Sequence, residues 1–247
     1  MPNNNKTSIL ITGCSSGIGL HAALTLNARG YQVFATARKP EDVEMLKAKG
    51  LNAIPLDLTD SESIAQAISI VLEQTSGQLD FLFNNGAYGQ PGALEDLPTN
   101  ALKTQFESNV FGWHELTRQI IPVMRTQGHG RIIQCSSVLG FVSMAYRGAY
   151  NASKYALEGL TDTLRLEVKD GNIDVILIQP GPINTQFRAN ALKAFNFSQI
   201  LENIPELNHL DCDIESISFE EPIDSSNMNT EYYVQIAEAI EDNQRRK

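Results

Sequence analysis

Through about residue 180 the chain alternates short β-branched runs with longer segments whose apolar positions recur at helical spacing. That alternation limits the available folds more than any other feature. Ser8-Ile-Leu-Ile-Thr12, Tyr31–Thr36, Asn52–Leu56, Leu79–Phe83, Arg131–Gln134 and Asp174–Ile178 read as strands. Helices are predicted up to about Arg29 and over Pro40–Lys49, Ser61–Thr75, Thr99–Gln127 and Gly148–Val168. Gly30 and Gly50 stand as helix terminators, Pro40 opens a first turn, and Ser61 reads as a cap. Pro122 predicts a kink in the longest helix. Six strands alternating with helices predict an α/β fold in three layers: a parallel sheet covered on both faces and joined by right-handed crossovers. Residues 1–247 read as one domain, with a lid-like insertion from about 184 to 226 before a final helix, Thr230–Ile240.

In such a sheet ligands bind beyond the carboxyl ends of the strands, so chemistry is sought just after each one. After the first strand comes Thr12-Gly13-Cys14-Ser15-Ser16-Gly17-Ile18-Gly19. Glycines at 13, 17 and 19 allow a tight turn and close backbone approach, and the following helix aims its N–H groups at a phosphate. Gly13, Ser15, Ser16, Gly17, Ile18 and Gly19 are thus candidate cofactor-binding residues; the bland alternative is a plain strand-to-helix turn. At the end of the second strand, where a dinucleotide fold offers an acid to the adenine ribose, the chain reads Thr36-Ala37-Arg38-Lys39. Arg38 can fork onto a 2′-phosphate that an acid would repel, which favours NADP(H) over NAD(H).

Tyr150-Asn-Ala-Ser-Lys154 opens a predicted helix, and its i, i+4 spacing places phenol and ammonium on one face. A neighbouring ammonium lowers a phenol pKa and suits it to proton transfer at a carbonyl or alcohol. Upstream, Cys135-Ser136-Ser137 follows the fifth strand, Asn84-Asn85-Gly86-Ala87 follows the fourth, and Asn109 sits mid-helix. Pro180-Gly181-Pro182-Ile183-Asn184-Thr185 follows the sixth.

Together these residues resemble the short, single-domain branch of the short-chain dehydrogenase/reductase superfamily, over about residues 6–190. The resemblance implies a Rossmann-type, doubly wound sheet in the order 3-2-1-4-5-6-7. It implies Tyr150 as proton-transferring acid/base and Lys154 as the group that lowers its pKa and holds the nicotinamide ribose. Ser137 would bond the substrate carbonyl oxygen, and Asn109 would anchor a water linking Lys154 to solvent. Asp57 and Leu58 would face adenine, Asn85, Gly86 and Ala87 the adenosine side, and Pro180, Gly181, Ile183 and Thr185 the nicotinamide end. It also implies a small-molecule carbonyl or alcohol substrate and a homo-oligomer, dimer or tetramer. Two departures stand out. The usual Asn-Asn-Ala-Gly is here Asn-Asn-Gly-Ala, so a methyl at Ala87 would crowd the cofactor, and no seventh strand follows the final helix.

Lys and Arg total 19 against 29 Asp and Glu, a net charge of −10, which disfavours a nucleic-acid binder. The acidity is local, because residues 194–244 hold twelve Asp or Glu and no Lys or Arg. No run approaches ~18 apolar residues and no signal-peptide core opens the chain, so no membrane span is expected and the cytoplasm is the default location. Cys14, Cys135 and Cys212 do not form a disulfide framework; Cys14 reads as an ordinary small residue, although a helix N-terminus can favour a thiolate. His21, His114, His129 and His209 lack metal-ligand spacing, so no metal is expected, and Trp113 reads as helix packing. Apolar side chains at Tyr88, Leu139, Phe141, Met144, Phe187, Phe195, Phe197 and Ile200 point to a hydrophobic substrate. The expected function is an NADP(H)-dependent oxidoreductase. The alternatives are a catalytically silent NADP(H)-binding regulator and an acidic protein-docking module over residues 202–224.

Overall fold

The computed structural model describes residues 6–194. The expected final helix, the acidic segment and most of the lid-like insertion lie outside them. Strands β1 (Ser8–Ile11), β2 (Gln32–Ala37), β3 (Asn52–Pro55), β4 (Phe81–Asn84), β5 (Gly130–Cys135) and β6 (Ile173–Ile178) form one sheet. Its order is β3-β2-β1-β4-β5-β6, and every pairing is parallel. The order reverses between β1 and β4, which opens a crevice at their carboxyl ends.

The inner strands β1, β2, β4 and β5 are buried on both faces, and their side chains divide between two cores by period two, while the edge strands β3 and β6 are partly exposed. Ile9, Ile11, Phe81, Phe83 and Ile133 face the core under α1 (Gly17–Ala28) and α2 (Pro40–Ala48). Leu10, Leu82 and Ile132 point the other way, onto α3 (Ser61–Gln74) and α5 (Gly112–Gln127). On α3 the buried Ile64, Ala67, Ile68 and Val71 form the helical stripe anticipated from spacing. Burying each such Leu, Ile or Phe contributes about 1.5–3 kcal/mol, so the layers hold the strand ends in fixed relative positions.

Three local expectations are corrected. The cap of α3 is Asp60, whose carboxylate accepts from the Glu62 and Ser63 amides; Ser61 is the first helical residue, and its hydroxyl donates to Glu115 instead. Strand β4 begins at Phe81, because the Gln127 side chain takes both backbone groups of Leu79, at 3.0 and 2.8 Å. The helix expected over Thr99–Gln127 is broken: α4 (Thr99–Phe106) and α5 flank a π-helical turn, Glu107–Phe111, that carries the buried Asn109. A residue inserted into a helical ladder makes such a wider turn, and these turns cluster at functional sites. Pro122 lies inside α5, beyond this break.

Candidate active site

A cleft of about 860 Å³ runs along the carboxyl edge of β1, β2, β3 and β4. Among the expected cofactor residues, Gly13, Ser15, Ser16, Arg38, Lys39, Asp57, Leu58, Gly86 and Ala87 line it. Ser16 caps α1 with no side-chain hydrogen bond, and the first turn holds no acidic residue, so its amides remain free for an anion. Gly17 and Gly19 pack the turn itself: a Cβ at 17 would come within 3.2 Å of Thr185, and one at 19 would strike the Gly13 carbonyl. Ile18 joins the α1-side core. This lining of small residues, unfilled amides and a guanidinium suits a dinucleotide bearing phosphates.

Gly13 has φ +69°, a conformation costly for any residue with a Cβ, and such an atom would overlap the Gly86 α-carbon. The Thr12 hydroxyl explains this close approach by accepting from both the Asn85 and Gly86 amides at 2.8 Å. Asn85 returns its side-chain amide to the Thr12 and Gly13 carbonyls, at 3.0 and 3.1 Å. The exchanged pair therefore fits: glycine occupies the tight position beside Gly13, while Ala87 packs on the core and contributes to the cleft wall. Asp57 is held locally, its carboxylate accepting from the Thr59 amide and hydroxyl.

At the far end, α6 (Gly148–Glu167) brings Tyr150 and Lys154 against the residues that follow β5. Ser137 and Tyr150 are each 8% exposed, and Lys154 is 1% exposed. The Lys154 ammonium donates to the Cys135 carbonyl at 2.6 Å, lies 4.5 Å from the Trp113 ring centroid and 5.6 Å from that of Tyr150. Phenol and ammonium thus share one face. The direction of the phenol's titration differs from expectation. Burial drives the Tyr150 pKa upward, with the neighbouring Cys135 adding to it, while Ser137's hydrogen bond and the Arg147 charge pull it down. Desolvation outweighs the Ser137 hydrogen bond and the Arg147 charge because a phenolate at this depth loses its water. Burial also pushes Lys154 down to about 8, against the pull of Cys135 and Glu158.

Asn109, fully buried, gives its side chain to the chain after β4. It accepts from the Tyr88 amide at 3.2 Å and donates to the Tyr88 carbonyl at 2.9 Å and to the Ser153 hydroxyl at 3.3 Å. Both amide protons are committed, so the side chain is a clamp between this loop and α6. Gln105 extends the clamp by donating to the Tyr88 carbonyl and accepting from the Gln90 amide. Trp113, read from sequence as packing alone, also donates from its indole to the Gly86 carbonyl at 2.8 Å. The i, i+4 steps from Gln105 to Asn109 and on to Trp113 were the available signal. Arg147 and Thr12 carried none.

The segment after β6 completes the wall. The Val138 amide donates to the Pro180 carbonyl, Gly181 is exposed, and Ile183 and Thr185 are half-buried. Helix α7 (Phe187–Ala194), the described part of the expected lid, sets the Phe187 ring edge-on against Tyr150 at 5.3 Å. Gln186, Asn190 and Ala194 line the cleft beside it. Cys14 is buried and pushed up to about 12 by desolvation, which makes it an inert thiol. Among the described residues no three His, Cys, Asp or Glu side chains converge on a metal position, and no helix is long and apolar enough to cross a membrane.

Comparison with known proteins agrees with this architecture. The chain is 46% identical over 185 residues to the uncharacterized oxidoreductase YbbO of Escherichia coli K12, covering 75% of this chain and 69% of that protein. It is 35% identical over 212 residues to human retinol dehydrogenase 8, covering 82% and 67% respectively. An actinorhodin polyketide ketoreductase variant solved with NADPH superposes with a TM-score of 0.71 at 28% identity, covering 85% of this chain and 80% of that one. The family model for short chain dehydrogenase matches residues 7–195, and with the parallel sheet, the glycine-rich turn and the buried tyrosine–lysine pair in place, this chain belongs to that family of oxidoreductases.

Proposed function

We propose that the protein is an NADP(H)-dependent reductase or dehydrogenase interconverting a hydrophobic carbonyl compound and its alcohol. The observation behind this reading is the juxtaposition of the buried Ser137, Tyr150 and Lys154 beyond β5, joined through Phe187 on Tyr150 to the α7 end of a cleft whose lining suits a dinucleotide. Gly13, Ser15, Ser16 and the free amides of α1 would hold the pyrophosphate, and Arg38 a 2′-phosphate. Lys39 is drawn partly to Glu41, 3.7 Å away, which leaves Arg38 as the principal clamp. NADP(H), when bound, supplies the hydride equivalent. A structural relative solved with NADPH supports that cofactor class.

The chain's own groups do the rest. The Ser137 hydroxyl and Tyr150 phenol would donate to the carbonyl oxygen as negative charge develops there, and the phenol proton would pass to it. Burial keeps Tyr150 in its protonated, donor form, suited to carbonyl reduction. Lys154 would stabilise the phenolate left behind, while Asn109 and Gln105 hold the facing loop. Phe187 and the exposed Phe141, Val142 and Met144 provide apolar surface around this end, in keeping with the name of the retinol dehydrogenase relative.

The test is consumption of NADPH by the full chain across long-chain, aromatic and sugar-like carbonyls. Turnover favouring the apolar set is expected. Preference for the sugar-like set would refute the substrate class, and cofactor binding without turnover on any of them would favour a silent regulator.

A further inference from the structure

We propose that Glu158 is a positioning residue for this reaction, supplying the counter-charge to Lys154 and tying to α6 the two segments that frame the substrate carbonyl. The proposal rests on the catalytic reading above. Glu158 lies one helical turn beyond Lys154, four residues on, the spacing at which side chains share a face. Its two carboxylate oxygens accept from the Gln179 amide at 3.2 and 3.1 Å, which fixes the chain leaving β6 just before Pro180. On the other side stands Gly140, where a Cβ would come within 2.9 Å of the Glu158 carboxylate and 2.8 Å of the Ser136 hydroxyl. That hydroxyl is buried without a protein partner. Ser136 and Gly140 flank Ser137, whose hydroxyl already accepts from the Leu139 amide at 3.1 Å. One carboxylate therefore meets both segments that bracket the site.

The charge matters as well as the contacts. From β5 the Cys135 carbonyl accepts from Lys154, with the Cys135 thiol on the same residue; from α6 the Tyr150 ring lies 5.6 Å away and Glu158 stands one turn on; from α5 comes the neutral Trp113 ring. The Cys135 thiol is itself raised by burial and is uncharged at neutral pH. Glu158 is then the formal negative charge opposing the desolvation of this ammonium.

The experiment compares wild type with Glu158→Gln, which keeps the size and one of the two acceptor oxygens but not the charge. In NADPH-dependent reduction the alkaline limb of the kcat profile should move down by about one pH unit, a roughly fivefold loss near pH 8 approaching tenfold above pH 9, with little change near pH 6. A second readout needs no turnover. The cofactor-free variant should melt below wild type at pH 7, and the gap should narrow toward pH 9.5, where Lys154 is neutral in both. Coincident pH profiles, or a melting gap that does not depend on pH, would overturn the counter-charge role. Wild type inactive on every carbonyl would instead refute the functional reading, while the melting comparison would still decide the role of Glu158.

Discussion

The proposed preference for NADP(H) turns on Arg38. It follows β2 in the cleft wall, where the chain reads Thr36-Ala37-Arg38-Lys39 without an acid, and a guanidinium recognises a phosphate monoester through paired, charge-assisted hydrogen bonds. Arg38→Ala is expected to weaken NADPH binding by tenfold or more while leaving NADH nearly unchanged, as read by cofactor fluorescence titration; equal losses would refute the clamp. Single residues were legible in the sequence when their chemistry requires a fixed spacing. Tyr150 and Lys154 at i, i+4 fall together as anticipated, and Ser137 meets the phenol. What spacing concealed was environment. The depth of Tyr150 raises its pKa where a neighbouring cation alone would lower it, and no count along the chain reveals that depth. Asn109 was picked out by its poor helix propensity, but its partners, Tyr88 and Ser153, lie 21 and 44 residues away.

At the scale of elements, the alternating pattern predicted all the described strands and most helix limits, because strand and helix burial have distinct periods. It missed the π-helical turn, since one inserted residue leaves the surrounding periodicity almost unchanged. It also missed the Asp60 cap, which competes with an adjacent serine of similar capping strength. The turn between β1 and α1 depends on Gly13 more than on any phosphate contact. Gly13→Ala is expected to cost at least about 1–2 kcal/mol for its left-handed backbone, and more for the overlap with Gly86. Thermal denaturation should register a drop of several degrees together with loss of NADPH binding. An unchanged melting temperature with intact binding would show that the two turns separate without strain.

Across the whole molecule, stability and chemistry pull in opposite directions at Lys154. Its pKa is about 8 in the folded chain against an ordinary 10.5, so between those values the unfolded chain holds more protons and stability rises with pH. Below pH 8 the buried ammonium costs about 3 kcal/mol, an order-of-magnitude figure from that displacement. Lys154→Met is therefore expected to melt above wild type at pH 7, with the gap closing toward pH 10, while losing activity. A lower melting temperature at pH 7 would contradict this sign. The same sheet that imposes that cost gathers residues from β4, β5, β6 and α6 at one edge, which in the proposed function reduces carbonyls through a buried phenol. The most direct test is Tyr150→Phe, assayed for NADPH-dependent carbonyl reduction alongside NADPH binding. A loss of at least about 10²–10⁴-fold in kcat with cofactor affinity retained is expected; turnover within a few-fold of wild type would contradict a catalytic phenol.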